Sequence, residues 1–282
     1  MKTIIGILIV AGSVVGGYLM AHGRLGILWQ PAELVTICGA AFGAFVISNP
    51  GIVIKKAMTS FLVLVKGSPY NKAMYMELLA LMYELFSKAR KEGVMALESH
   101  IDEPDKSDIF SKYPKVSADH HAMEFLTDYL RLIVGGNMNA FELENLMDIE
   151  LETHHADSLK TGDALTAIGD GLPGFGIVAA VLGVIITMGS IGGEPAELGM
   201  HVGAALVGTF LGILLSYGFV GPMGTAANVI AEEESKFLTC IKVCIMATLN
   251  GYAPPIAVEF GRKVISHEHR PGFAELEEHV KG

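Results

Sequence analysis

The sequence predicts an all-α membrane protein, with four transmembrane helices and a large helical cytoplasmic domain between the second and the third. Three observations carry that prediction. Charge is segregated: most of it lies in two blocks, Lys55 to Asp170 and Glu232 to Lys281, and the remainder is nearly charge-free. Four apolar runs have the length of a bilayer crossing. No stretch carries a persuasive alternation of apolar and polar residues, the mark of a half-buried strand. The mean hydropathy of +0.46 decides less than its distribution does, because soluble domains are also about 45–50% apolar.

The first run, Ile4 to Ala21, follows Lys2 and could pass for a secretory leader. Its length, its lack of a clear cleavage site and the second apolar run close behind it read instead as a transmembrane helix. The second run is Leu34 to Ile54, with Trp29 and Pro31 just ahead of it. The third is Leu172 to Met188 and the fourth His201 to Val220. Each is roughly 17–21 residues long, against about 20 for the hydrocarbon core. Between spans two and three, Met76, Leu79, Met82, Phe86 and Leu97 recur in helical style within a single polar-faced segment. "HAMEFLTDYLRLIV" and "NAFELENLMDIELETHHADSLKTGDAL" repeat that style. Asp102 to Asp105, with Pro104 inside, breaks the first segment from the second, and Gly135-Gly136 breaks the second from the third. Ala226 to Asn250 reads as an extension of span four. The expected organisation is residues 1–54 for spans one and two, 55–169 for the cytoplasmic domain, 170–224 for spans three and four, and 225–282 for a cytoplasmic helical tail.

Lysine and arginine give the orientation. The short links 22–33 and 189–200 hold only Arg24 between them, whereas Lys55 and Lys56 stand directly beside span two. The large segment, the tail and both termini are therefore expected in the cytoplasm. The net charge of −10 argues against a nucleic-acid partner, which needs a basic surface. Cys38, Cys240 and Cys244 form neither a disulfide framework nor a zinc pattern and read as reduced thiols.

Within the spans the small residues stand out. Gly12 and Gly16, Gly39 and Gly43, and Gly208 and Gly212 are each four apart, and span three adds Gly176, Ala179, Ala180 and Gly183. Such spacing lets helix backbones approach, either inside one bundle or between copies. Spans three and four offer Thr187, Thr209, Ser216 and Tyr217 but no Asp, Glu, Lys or Arg, while Glu33 and Asp170 sit at span ends. Ion-coupled machines carry a titrating group at depth. Either the acid comes from another polypeptide, or the spans only anchor. Pro173 and Pro222 fall at one membrane level, near the cytoplasmic ends of spans three and four. A proline in a first turn is cheap and one at an end can mark a break, but a pair at one level can also shape a mouth or hinge. His120 with His121, and His154 with His155, are adjacent and so point about 100° apart on a helix. They make no chelating face of the i,i+4 kind, and neither a metal site nor a cofactor is expected. No nucleophile–base cluster or phosphate loop stands out, so an enzyme is not expected.

Four longer stretches carry a family resemblance: "DGLPGFGIVAAVLGV", "VGTFLGILLSYGFVGP", "NGYAPPIAVEFGRK" and "YLRLIVGGNMNAFELENLMD". Through them the chain resembles the MotA-like stator subunits of the bacterial flagellar motor, from residue 1 to about 280. That resemblance implies a homopentamer around two copies of MotB, whose single span would supply the missing aspartate. Ion flow would turn the ring and push the rotor switch-complex protein FliG. Pro173 and Pro222 match the family prolines near the ion path, Thr209 the threonine facing the MotB aspartate, and Tyr217 a further residue of span four. Ala180 matches a position where sodium-type relatives carry threonine. A methyl group gives sodium no oxygen ligand, so the translocated ion is expected to be H+ rather than Na+. Arg90 and Glu98 match the two rotor-binding charges. On one unbroken helix they would stand roughly 80° apart and share a broad face. Two alternatives stand beside this reading: an ExbB/TolQ-like proton-driven transducer of the cell envelope, and a non-conducting membrane scaffold.

Overall fold

The computed structural model describes residues 2–136, 138–189 and 195–281. Among them every regular element is helical, with no strand. The main helices are α1 (Lys2–Met20), α2 (Pro31–Ser48), α3 (Gly51–Lys66), α4 (Lys72–Glu92), α5 (His120–Gly135), α6 (Ala140–Gly189), α7 (Pro195–Leu215), α8 (Gly221–Leu249), α9 (Pro254–Val264) and α10 (Phe273–Lys281). Four helical stretches are long and apolar enough to cross a membrane: Lys2–Met20, Leu25–Ser48, and windows within Ala140–Gly189 and Leu198–Leu249. Part of the expected link 189–200 lies outside the described residues.

Contacts divide the chain into two compact units, Met1–Gly67 with Asp157–Ile230, and Ser68–Ala156 with Ala231–Gly282. The sequence boundaries at residues 54, 169 and 224 mark where the apolar runs begin and end. The unit boundaries mark where packing does.

In the span-bearing unit the second span is shorter at its far end than the sequence predicts. Its helix stops at Ser48, because Pro50 pushes Asn49 out of the helical region to φ −125, ψ 142. Asn49 Nδ2 donates back to the Phe45 carbonyl at 2.9 Å, and α3 starts afresh at Gly51. Thr3 Oγ1 donates to the Leu64 carbonyl at 2.9 Å, which ties the first turn of α1 to the last turn of α3. The third span is no separate helix. It is the C-terminal part of α6, with Pro173 well inside the helix. The first-turn reading of that proline therefore fails, and its missing N–H leaves the Gly169 carbonyl without its helical donor.

The charge-rich unit has an ordinary apolar core. Leu78, Leu79, Leu81, Met82 and Leu85 of α4 are fully buried, as are Phe237, Cys240, Ile241 and Cys244 of α8. Asn71 caps α4 by accepting from the Ala73 and Met74 amides. Asp119 caps α5 through Ala122 N and also accepts from the Tyr70 hydroxyl at 3.0 Å. Gly136, at φ +65, ends α5 in the left-handed region that favours glycine. Asn139 and Glu142 then start α6 with a reciprocal pair of side chain to amide bonds. Those two features explain why Gly135-Gly136 separates the second and third cytoplasmic patterns. All three cysteines are free.

Candidate functional site

In the span-bearing unit α6 meets α7 and α8 along a seam of glycines. A Cβ on Gly162 would lie 2.8 Å from the Gly224 carbonyl, one on Gly169 3.0 Å from Gly221 N, one on Gly176 2.9 Å from the Gly208 carbonyl, and one on Gly183 2.8 Å from Ala205 Cβ. Gly162, Gly169, Gly176 and Gly183 recur every seven residues, so one face of α6 keeps its backbone against the neighbour for the whole contact. The four-residue spacing singled out Gly208 and Gly212 on the facing helix, while Gly176 and Gly183 stood among the small residues of span three. The seven-residue repeat on α6 was equally legible and is the stronger signal. Gly12, Gly16, Gly39 and Gly43, by contrast, meet nothing within 4 Å among the described residues.

The two prolines sit on this seam. Gly169, whose carbonyl loses its usual helical donor at Pro173, approaches Gly221, the residue before Pro222. Pro222 does not end a helix. A π-helical turn, Ser216–Val220, runs into α8, and Gly221 N donates to the Ser216 carbonyl. The wider turn makes room for the ring next to a chain that continues helical. Tyr217 lies in that turn and is 70% exposed, whereas Ser216 is buried.

Thr209 and Ala180 are half-buried on facing helices. Gly208, beside Thr209, has its Cβ position 3.3 Å from Ala180 N and 2.6 Å from Glu33 Oε2. That oxygen is buried and has no hydrogen-bond partner among the described residues. Sequence spacing puts Glu33 at a span end. The structure brings its carboxylate against span four, because Gly208 leaves the room.

Arg90 and Glu98, in the charge-rich unit, are not on one helix. α4 stops at Glu92, Gly93 turns the chain at φ +90, a 3-10 turn follows, and Glu98 opens the short helix Glu98–Asp102. The 80° relation therefore does not hold. Both side chains are exposed, with no ion pair among the described residues. Arg90 lines a cleft of about 340 Å³ together with Val94, Thr248 and Tyr252.

A third grouping crosses helices. His121 of α5, His154 of α6 and Glu234 of α8 hold ligand-type atoms within 4.8 Å of one another. Burial pushes the Glu234 carboxyl up, but hydrogen bonds with His154 and His121 outweigh it and hold the group below the usual carboxylate range. Adjacent-pair reasoning missed this grouping, because it takes one histidine from each pair.

Residues 4–93 match the family described as Motility protein A N-terminal, and residues 117–238 match the MotA/TolQ/ExbB proton channel family. Motility protein A of Escherichia coli K12 is 51% identical over 281 residues, which cover 100% of this chain and 95% of that protein. The chain belongs to the MotA/TolQ/ExbB proton channel family. Within that family, Motility protein A of Salmonella typhimurium is 50% identical over 100% of this chain and 95% of its own length. Chemotaxis protein LafT of Vibrio parahaemolyticus is 41% identical over 98% and 97%. The flagellar MotAB stator complex from Bacillus subtilis superposes with a TM-score of 0.75 at 27% identity, over 92% of this chain and 94% of that one. MotAB of C. jejuni gives a TM-score of 0.79 at 20% identity, over 95% and 96%, a likeness of fold.

Proposed function

We propose that this chain is the stator subunit of a bacterial flagellar motor, which forms with a MotB-type partner a proton path whose current turns the rotor. The end-to-end similarity to Motility protein A carries this reading, and the geometry agrees with it. Spans three and four contribute hydroxyls and closely approached backbones but no Asp, Glu, Lys or Arg. The aspartate of the partner's span would complete the path, facing Thr209, whose hydroxyl both donates and accepts. Glu33 places one acid of this chain's own against Gly208. Pro173 and Pro222 bracket the cytoplasmic mouth, where the π turn gives the helix a place to flex.

Ala180 offers no oxygen ligand, which supports protons over sodium. The glycine pairs of α1 and α2 that meet nothing inside the chain suit contacts between copies, in a pentamer around two partner chains. The charge-rich unit and both termini lie in the cytoplasm, where Arg90 and Glu98 meet the rotor protein FliG. Exposed charge pairs contribute only about 0–1 kcal/mol, which suits a contact that forms and breaks at every step. The motor reading predominates over an envelope transducer because the chain carries two spans ahead of its channel segment and matches the Motility protein A N-terminal family there.

The test is swimming in a stator-deficient bacterium supplied with this chain and a MotB partner. Swimming should return, be independent of sodium and be abolished by a proton uncoupler. Swimming that persists on sodium alone with the uncoupler present would overturn the proton assignment. Arg90→Glu and Glu98→Lys should leave membrane assembly intact and reduce torque. Unchanged torque in both would remove these residues from the rotor contact.

A further inference from the structure

We infer that His121, His154 and Glu234 form a binding site for one divalent cation of the zinc class, which clamps α5, α6 and α8 together. Three observations meet there. His121 Nδ1 lies 2.6 Å and His154 Nε2 3.2 Å from the same oxygen, Glu234 Oε1. The two rings stand nearly perpendicular, at 77° with centroids 5.1 Å apart, so their nitrogens aim at one region rather than stacking. The side chains of Glu234 and His154 are only 16% and 22% exposed, while that of His121 is 53% exposed and opens the site to solvent.

Two imidazoles and one carboxylate are a recognised zinc set, with a fourth position left to water. In a tetrahedral site with bonds of about 2.1 Å, neighbouring ligand atoms stand about 3.4 Å apart. The two histidine–carboxylate separations, 2.6 and 3.2 Å, are shorter than that spacing and all three ligand atoms lie within 4.8 Å of one another, so small side-chain rotations suffice. Imidazole with a single carboxylate favours borderline cations such as Zn2+ over Ca2+ or Mg2+, which demand more oxygen. A cavity of about 50 Å³, lined by both histidines and by Glu124 and Glu150, has room for a water ligand. Glu150 is held by the Tyr129 hydroxyl at 2.7 Å, and its charge adds to a field that favours a cation. The ligands come from three different helices, so the ion would add a fastening to elements that apolar packing and hydrogen bonds already join.

The test uses the full chain purified in detergent and stripped with chelator, titrated with Zn2+ alone by calorimetry. One equivalent per chain should bind, and Co2+ in its place should give the intense visible band of four-coordinate geometry. His154→Ala and Glu234→Gln should each weaken Zn2+ binding by more than the roughly 10–100-fold that losing an outer partner costs. His120→Ala and His155→Ala, the unused neighbours, should bind as the parent does. His121→Ala alters only a half-exposed side chain, so it tests the site without threatening the fold. It should abolish the rise in melting temperature that Zn2+ gives the parent. Absence of stoichiometric binding in the parent, binding that survives all three substitutions, or equal loss in His120→Ala would each overturn the site.

Discussion

Between residues 157 and 230 helices meet through glycine, whereas in the unit built from 68–156 and 231–282 they meet through leucine, methionine and aromatic rings. Gly176 and Gly212 put backbone on backbone, while Leu78, Leu81 and Phe237 fill their core with side chains. The difference follows from the solvent. Lipid tails are as apolar as leucine, so burying leucine between two spans gains little, and close van der Waals approach must hold them. Water-facing helices gain about 25 cal/mol for each Å² of apolar surface they hide, so large side chains serve best.

Substitutions of opposite sense separate the two modes, and the largest effect belongs to the seam. Gly212→Val places atoms where Gly176 Cα and the Leu172 carbonyl already stand 2.8 Å from a modest Cβ. Backbone cannot rotate away, so this overpacking should exceed the usual cost of about 1–3 kcal/mol and abolish swimming. Gly39→Val, at a position that meets nothing within 4 Å among the described residues, should leave the monomer fold intact, as detergent melting would show. Next comes the opposite change in the other unit. Leu81→Ala should destabilise it by about 2–5 kcal/mol in chemical denaturation, because the site is fully enclosed. Smaller again is Asn139→Ala, which removes half of the reciprocal cap at the start of α6. About 0.5–2 kcal/mol is expected, read as faster amide exchange in the first turn.

The smallest effect depends on pH. Arg262 donates to both oxygens of Glu259 at 2.6 and 2.7 Å, and that bond holds the Glu259 carboxyl below its ordinary value against the opposing effect of burial. A depressed folded value means that the stabilisation is complete above the unfolded value of about 4.3 and is lost as pH falls through the folded one. Melting temperature should therefore drop faster with acid in the parent than in Glu259→Gln. A difference equivalent to no more than about 1 kcal/mol is expected for so partly exposed a pair.

How much of this was legible follows the same division. The spans, the breaks at Pro104 and Gly135-Gly136, and the helical core of α4 follow from composition and periodicity, which are local. The stop at Asn49 was legible too, since proline restricts the residue before it, but an apolar run that continues through Pro50 masks the break. The separation of Arg90 from Glu98 turns on Gly93 at φ +90, a conformation that the residue permits and only tertiary packing selects. The least legible features join distant segments: Glu33 against Gly208, and His121, His154 and Glu234 at one point. No spacing rule reaches across three helices, and the adjacent histidine pairs direct attention to the wrong partners. The seven-residue glycine repeat lay in plain view, and only the choice of a four-residue period hid it.

Proton flux into vesicles tests the central claim, that this chain is half of a conductor. The purified chain is reconstituted alone, then with a MotB partner, and a pH-sensitive dye reports the rate under an imposed potential. The account predicts a current only when both chains are present, and its loss when the partner's aspartate is replaced by asparagine. An equal current through this chain alone would contradict it.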